Sequence, residues 1–375
     1  MNFLSSIYHC TSRTARSITL VFCKFAFVQF INHIRLDSVT HIVLGAAIGE
    51  ALLGKKIGRK AALIGALAKT IPDFDLFYTG LNDPRMYVCC HRGHTHSLLW
   101  EFLYAIPLAY LFYRLFKKQV AWRQWFILFI VCLWGHSLLD TCTVYGTRLL
   151  LPLTNYAYSW DNLSIVDLLF TAPMLMMVIA GLLYKNDSKP RRILIRTSLV
   201  YCFCYLGFTM VNKAVANHIV KKSLEQQHIQ YTSYFTAPTI LNNILWYGMA
   251  STDSTLSVGE FTLMKKDKPM HWLTFRRNTA LLDAHPDTSD VKLLKWFSRG
   301  YSICQQDGDT LNVYCVKFGR TNMTQDDLEK TFIFHYKLYF DKGKWQMGME
   351  EPTDKNANMK EGFKDLMTRI QGKAH

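Results

Sequence analysis

His91-Arg-Gly-His-Thr-His-Ser-Leu-Leu-Trp-Glu-Phe-Leu-Tyr-Ala-Ile-Pro-Leu-Ala-Tyr-Leu-Phe-Tyr-Arg-Leu-Phe116 sets three histidines and an arginine directly against a long apolar run. The run decides the fold class. A helix needs roughly 20 apolar residues to cross a bilayer, and Leu98–Phe116 approaches that length. Three more runs, Trp125–Tyr145, Leu163–Tyr184 and Ile193–Val211, read the same way, and Tyr156, Tyr158 and Trp160 ahead of the second of these suit an interfacial aromatic belt. Upstream, Val39–Gly54 and Ala61–Ile71 are shorter. The small residues Gly45, Ala46, Gly49 and Gly54 predict two helices packed closely inside a bundle.

Half of the 375 residues are apolar, with 24 Phe and 19 Tyr, and the long runs fall in residues 37–211. Residues 212–375 have the mixed composition of a soluble domain. Strand-like pieces at Phe261–Met264, Leu311–Phe318 and Thr331–Phe340, separated by Gly and Asp turns, predict an antiparallel sheet there. His271, His285 and His335 are isolated and read as surface or sheet residues. The expectation is a mainly α membrane protein, a polytopic helical bundle with a C-terminal, mostly β (α+β) soluble domain. Residues 1–36, with a short apolar stretch broken by Lys24, read as an N-terminal extension or weak anchor.

The net charge of +15 raises the question of nucleic acid, but Lys and Arg sit in short loops beside the apolar runs and in the tail, without an RNP-like or helix-turn-helix pattern. Anionic membrane lipid is the expected partner and nucleic acid is not. The basic loops 55–60, 114–123 and 185–192 belong on the cytoplasmic side by the positive-inside rule. His41, Asp73, Asp75, the 91–97 cluster and the loop 145–162 then share the opposite side with the C-terminal domain. Ten cysteines show no C-x-x-C spacing and predict no disulfide framework; Cys89-Cys90 reads as a soft-metal ligand pair or as incidental thiols.

Thr40-His41, Pro72-Asp73-Phe74-Asp75 and His136-Ser-Leu-Leu-Asp140 answer the histidine cluster. His136 and Asp140, four apart, lie on one helix face about a turn from each other. A buried aspartate in an apolar helix needs a metal, a cation or hydrogen bonds from neighbouring helices. Together these groups offer the imidazole and carboxylate donors that suit zinc, manganese or iron, one or two ions, which activate water and polarise a phosphoryl or carbonyl oxygen. Arg92 offers a planar fork for a phosphate or carboxylate, or else an ion pair with Asp73, Asp75 or Glu101. Thr95 and Ser97 read as caps of the helix that follows. His94 reads as ligand, proton shuttle or neighbour.

Leu36-Asp37-Ser-Val-Thr-His41 with Gly45, Ile71-Pro-Asp-Phe-Asp75, His91–Ser97 and His136–Asp140 with Tyr145-Gly146-Thr147 resemble the membrane-bound metal-dependent hydrolases of the LexA-regulated, YdjM-like group over roughly residues 37–185. The resemblance implies a multi-pass bacterial inner-membrane protein with a hydrolase-type metal centre. It places motif residues at His41, Asp73, Asp75, His91, Arg92, His96, His136 and Asp140. The resulting expectation is cleavage of a phosphoester or other ester of a lipid-like substrate. His41, Asp73, His91, His96, His136 and Asp140 hold the metal, Asp75 orients or bridges, and Arg92 holds the anionic group. Two rival readings use the same residues: a metal or ion transporter, and a membrane anchor with a structural metal that presents the outer domain.

Overall fold

The computed structural model describes residues 36–79, 83–286, 288–320, 332–350 and 359–373. The expected N-terminal extension lies outside them but for its last residue. Helices α1 (Leu36–Ile57) and α2 (Lys60–Thr70) form a tight antiparallel pair. A Cβ at Gly45 would lie 2.4 Å from the Gly65 carbonyl oxygen, and one at Gly49 2.1 Å from that of Ala61, so these positions let the two backbones touch.

Pro72 stops α2, and the chain passes through a 3-10 turn (Pro72–Phe74), a helical turn (Asp75–Tyr78) and the short α3 (Pro84–Cys90), whose first amides are capped by Asp83. A second 3-10 turn, His94–His96, leads into α4 (Leu98–Leu115), followed by α5 (Trp122–Asp140), α6 (Leu168–Leu183) and α7 (Lys189–Gln226). Leu99, Leu103, Ile106, Tyr110 and Leu115 of α4 are exposed, an outward apolar face that water would not favour. Among the described residues, α4 and α7 are long and apolar enough to cross a bilayer alone, while α6 is apolar but shorter.

Two of the apolar runs make shorter helices than their sequence predicts. The run expected to continue to Tyr145 ends at Asp140, whose carbonyl accepts from the Thr143 hydroxyl at 2.8 Å and so turns the chain back. The run expected from Leu163 becomes helical only at Leu168, because Asp167 caps the helix by accepting from the Phe170 amide at 3.1 Å. The segment between them, 141–167, folds over the end of the bundle. It is pinned by the Trp160 amide on the Thr141 carbonyl (2.6 Å) and the Asn162 amide on that of Cys142 (3.0 Å).

Helix α7 continues unbroken through position 211, and its last turns bury Ala216, Val220 and Leu224 against Trp246, Ala250 and Phe261. Beyond it stand two four-stranded antiparallel meanders. The first is β1 (Ser233–Pro238), β2 (Leu245–Ser251), β3 (Thr255–Thr262) and β4 (His271–Arg276). Helix α8 (Thr288–Ser298) precedes the second, β5 (Ser302–Asp307), β6 (Thr310–Cys315), β7 (His335–Asp341) and β8 (Lys344–Glu350), and α9 (Met359–Ile370) closes the chain. The expected strand to Phe318 stops at Cys315. Val316–Phe318 form a 3-10 turn instead, with Phe318 stacked on Phe297 at 4.7 Å. His285, read as a surface or sheet residue, is buried against Trp345, and His335 lies in β7 bonded to Asn312.

One hydrophobic core joins both sheets, and it also takes in Tyr87, Val88, Val144 and Tyr145. The β domain therefore packs on the end of the bundle that carries the histidine motifs. The basic turns meet at the other end, where the Lys56 ammonium donates to Gln124 (2.6 Å) and Arg59 to the Leu182 carbonyl (2.9 Å).

Candidate metal centre

Four separate stretches bring their polar side chains to one point. Helix α1 supplies His41, the turns after α2 supply Asp73 and Asp75, the segment before α4 supplies His91, Arg92 and His96, and the last turn of α5 supplies His136 and Asp140. Arg92 has a left-handed backbone (φ 56°), and Gly93 follows where a Cβ would meet the Cys90 carbonyl and an Arg148 nitrogen, each at 2.7 Å. This reversal separates His91 from His96 and lets both turn inward.

At the centre, His96 Nε2 and His136 Nε2 are 3.2 Å apart. Asp73 Oδ1 lies 3.5 and 3.4 Å from them, and Asp140 Oδ2 lies 3.3 and 3.5 Å from them. Zinc held tetrahedrally at bonds of roughly 2.0–2.1 Å has ligand–ligand edges of about 3.3 Å, so all these separations fit a single ion. The four ligand atoms fall within 4.8 Å of one another.

Tautomers favour the same reading. His136 Nδ1 donates to the Lys69 carbonyl at 2.6 Å, which leaves a lone pair on Nε2. The Thr95 hydroxyl spends its proton on Asp75 Oδ2 (3.0 Å), so it accepts from His96 Nδ1 at 2.9 Å and frees that Nε2 as well. The two lone pairs face each other and two carboxylate oxygens, an arrangement that requires a cation or a proton between them.

That electrostatic demand shows in the acid–base groups. Burial works against protonation of His96, but its hydrogen bonds to Asp140 and Asp73 outweigh burial and raise its pKa to about 10. Asp73 is held well below the usual carboxylate range because the attraction and hydrogen bonding of His136 and His96 overcome the cost of burial. Burial lowers the pKa of His91 against the pull of Asp75, while Asp75 itself is lowered because His91 offsets its burial. The Asp75 carboxylate accepts from His91 Nδ1–H at 3.0 Å.

Around the centre, His41 Nε2 lies 3.1 Å from Asp140 Oδ1, and its ring stacks on His136 at 3.9 Å. Arg92 Nε is 3.1 Å from Asp140 Oδ2, and its Nη1 donates to Thr143 at 2.8 Å. The guanidinium thus faces Asp140, in place of the expected partners Asp73, Asp75 or Glu101. Asp75 is fully buried and acts as a hub: Oδ1 accepts from His91 Nδ1 at 3.0 Å, and Oδ2 from the Arg92 amide and the Thr95 hydroxyl. His41 and His91 flank the four-membered cluster. His94 stands apart, exposed, with its ring 6.0 Å from Trp100. Cys89 and Cys90 lie together outside the cluster.

The hydroxyls expected to cap α4 have other partners. Ser97 Oγ donates to the Leu151 carbonyl at 2.6 Å and Thr95 donates to Asp75, while the Leu149 carbonyl of the loop 141–167 accepts from the Leu98 amide at 3.0 Å in place of a hydroxyl cap. Two fully buried ionisable groups, Lys69 and Glu101, lie behind the centre, with Ser137 donating to Glu101 at 2.6 Å. Glu101 is conspicuous at the start of an apolar run. Lys69 is masked by its place at a helix end, where a lysine ordinarily reaches water.

A helical domain with an outward apolar face carries a four-ligand imidazole–carboxylate cluster, a candidate metal centre, at one end. Residues 36–216 match the family described as YdjM inner membrane protein. It is 27% identical over 217 residues to the uncharacterized protein YfhP of Bacillus subtilis (strain 168), covering 55% of this chain and 62% of YfhP. It is 32% identical over 108 residues to the inner membrane protein YbcI of Escherichia coli (strain K12), covering 29% of this chain and 61% of YbcI. The chain thus spans about three fifths of the length of these curated relatives. No solved structure matches it.

Proposed function

We propose that the chain is a multi-pass, membrane-embedded, metal-dependent hydrolase that cleaves a phosphoester or other ester of a lipid-like substrate. The observation that carries the reading is the meeting of four donors within 4.8 Å, with His96 Nε2 and His136 Nε2 at 3.2–3.5 Å from each other and from Asp73 Oδ1 and Asp140 Oδ2. These four would hold a divalent ion, zinc by the edge lengths, with manganese or iron as alternatives. Such an ion supplies Lewis acidity toward water and toward a phosphoryl or carbonyl oxygen.

The remaining groups take roles from their contacts. Arg92 and His41 fix the two oxygens of Asp140, so Arg92 is a positioning residue. Asp75 fixes the proton of His91 on Nδ1 and leaves Nε2 as the proton acceptor, with burial keeping the ring neutral near pH 7. Asp73 is the cluster member open to the outside, its side chain 22% exposed against at most 1% for the other three. Beside it Phe74 of the 3-10 turn is exposed, and Leu67 and Leu63 expose an apolar stripe on one face of α2, which favours approach of substrate from the lipid. In the transporter reading a polar path continues through the bundle, yet toward the start of α5 the core is the apolar Trp125, Leu128, Phe129 and Cys132.

Elemental mass spectrometry of the detergent-purified chain tests the reading, followed by hydrolysis assays on phospholipids and phosphoesters. About one or two transition ions per chain are expected, with metal and activity both lost in His96→Ala and Asp140→Ala. Metal-replete protein that hydrolyses none of these substrates would reject the hydrolase reading, and protein that takes up neither zinc nor manganese would reject the centre itself.

A further inference from the structure

The end of the bundle opposite the cluster holds a cleft of about 560 Å³. Its polar lining is Lys55, Lys56, Lys60, Lys117, Gln119 and Asn186, without a carboxylate among the lining residues. Three separate turns build it: the α1–α2 turn, the α4–α5 turn and the α6–α7 turn. Two of its features are fixed by deeper structure. Glu50, buried, pairs with buried Arg191, which donates from Nη1 to Asn186 Oδ1 at 2.8 Å; the Asn186 amide therefore keeps its N–H groups for the other side. Gly58, with φ 62°, faces that nitrogen so closely that a Cβ would lie 2.6 Å from it.

The charges are only lightly offset. Asp187 is 3.9 Å from Lys55, with both side chains more than half exposed, and Lys56 donates to neutral Gln124. Four ammonium groups and an oriented amide donor without a lining acid fit an anion with several acceptor oxygens, a phosphate above all. The apolar part of the lining points to the source of that phosphate. Leu115, 61% exposed, and Phe116 belong to the cleft and continue the outward apolar face of α4. Helix α4 spans 18 residues, about 27 Å at 1.5 Å per residue, close to the thickness of a bilayer core. The cleft and the metal cluster thus lie at the levels of the two head-group layers.

We infer that this cleft is a binding site for the phosphate head group of an anionic phospholipid, whose acyl chains run along α4. The site is independent of the hydrolase reading and rests on the helices spanning a bilayer. Its role is to hold the protein at a fixed depth by the leaflet opposite the metal centre.

Native mass spectrometry of the full chain released from micelles containing equal phosphatidylglycerol and phosphatidylcholine tests it. The native sequence should retain phosphatidylglycerol preferentially. Lys56→Gln/Lys60→Gln/Lys117→Gln should lose that retention by at least tenfold, since each basic residue near an anionic lipid surface contributes about fivefold. Asn186→Asp, which places an acid in the cleft, should weaken retention by itself. Lys265→Gln/Lys266→Gln/Lys268→Gln in the β domain should leave it unchanged, as should Asp140→Ala, which separates this site from the metal centre. Equal retention by the cleft triple variant and the native sequence would overturn the inference, as would equal retention of phosphatidylcholine. Displacement of the lipid by millimolar inorganic phosphate alone would reassign the cleft to a soluble anion.

Discussion

Asp75 shows how much of the centre depends on a residue that is not in the four-ligand cluster. Its two oxygens hold His91, the Arg92 amide and Thr95, and through Thr95 they set the tautomer of His96. Asp75→Asn replaces one acceptor oxygen by a donor that Arg92 and Thr95 cannot use. Metal affinity should fall about 10- to 100-fold, with the helical circular dichroism retained; affinity within twofold of the native value would show that the hub is dispensable. His96 provides a second prediction. Its pKa is raised to about 10, so without metal it carries a proton across the neutral range, and that proton must leave before Nε2 can coordinate. Zinc affinity should therefore rise about tenfold per pH unit between pH 7 and 9, with near one proton released per ion at pH 7, and it should weaken as pH falls. Calorimetry in buffers of different ionisation enthalpy measures that proton; zero release would contradict the assignment. The ionisable groups in apolar sequence were legible because their cost demands a partner. The difference between His94 and His96 came only from the family resemblance, since it arises from the reversal at Arg92-Gly93, which spacing alone does not reveal.

Among the elements, the α1–α2 pair decides whether the ligands meet. It positions His41 near the start of α1 and Asp73 just past the end of α2, at the same end of the antiparallel pair, and its spacing is set by Gly45, Gly49 and Gly65. Gly49→Leu places a side chain where even a Cβ would lie 2.1 Å from a backbone oxygen, so the helices must part. Destabilisation of about 1–3 kcal/mol is expected from such overpacking, together with loss of bound metal. A thermal melt and a metal assay on the same sample check both, and an unchanged melting temperature would mean that the helices tolerate the separation. The small-residue pattern made this pair readable from sequence. The ends of α5 and α6 were less so, because Thr143 and Asp167 terminate helices within apolar runs through local hydrogen bonds that hydropathy does not register.

For the whole molecule, the β domain and the bundle are joined at the metal end. Arg299 donates to Ser159 Oγ at 2.7 Å and to the Ala157 carbonyl, Arg85 pairs with Asp290, and the Arg148 guanidinium lies 5.3 Å from the Trp296 ring centre. Arg148 also donates to the His91 carbonyl at 3.3 Å, so the domain reaches the centre through one intermediary. Sequence indicated a separate domain on this side but could not show that it completes the packing around Tyr145, because the contacts join residues more than a hundred positions apart. If the domain braces the centre, Trp296→Ala/Arg299→Ala should leave both sheets folded while hydrogen exchange in 145–162 quickens and metal affinity falls several-fold. If the metal is a structural anchor and the domain the working part, the same variant should lose function with metal affinity intact. Exchange mass spectrometry and a zinc titration on this one protein separate the two: faster exchange with weaker zinc binding supports the brace, and unchanged zinc binding removes it.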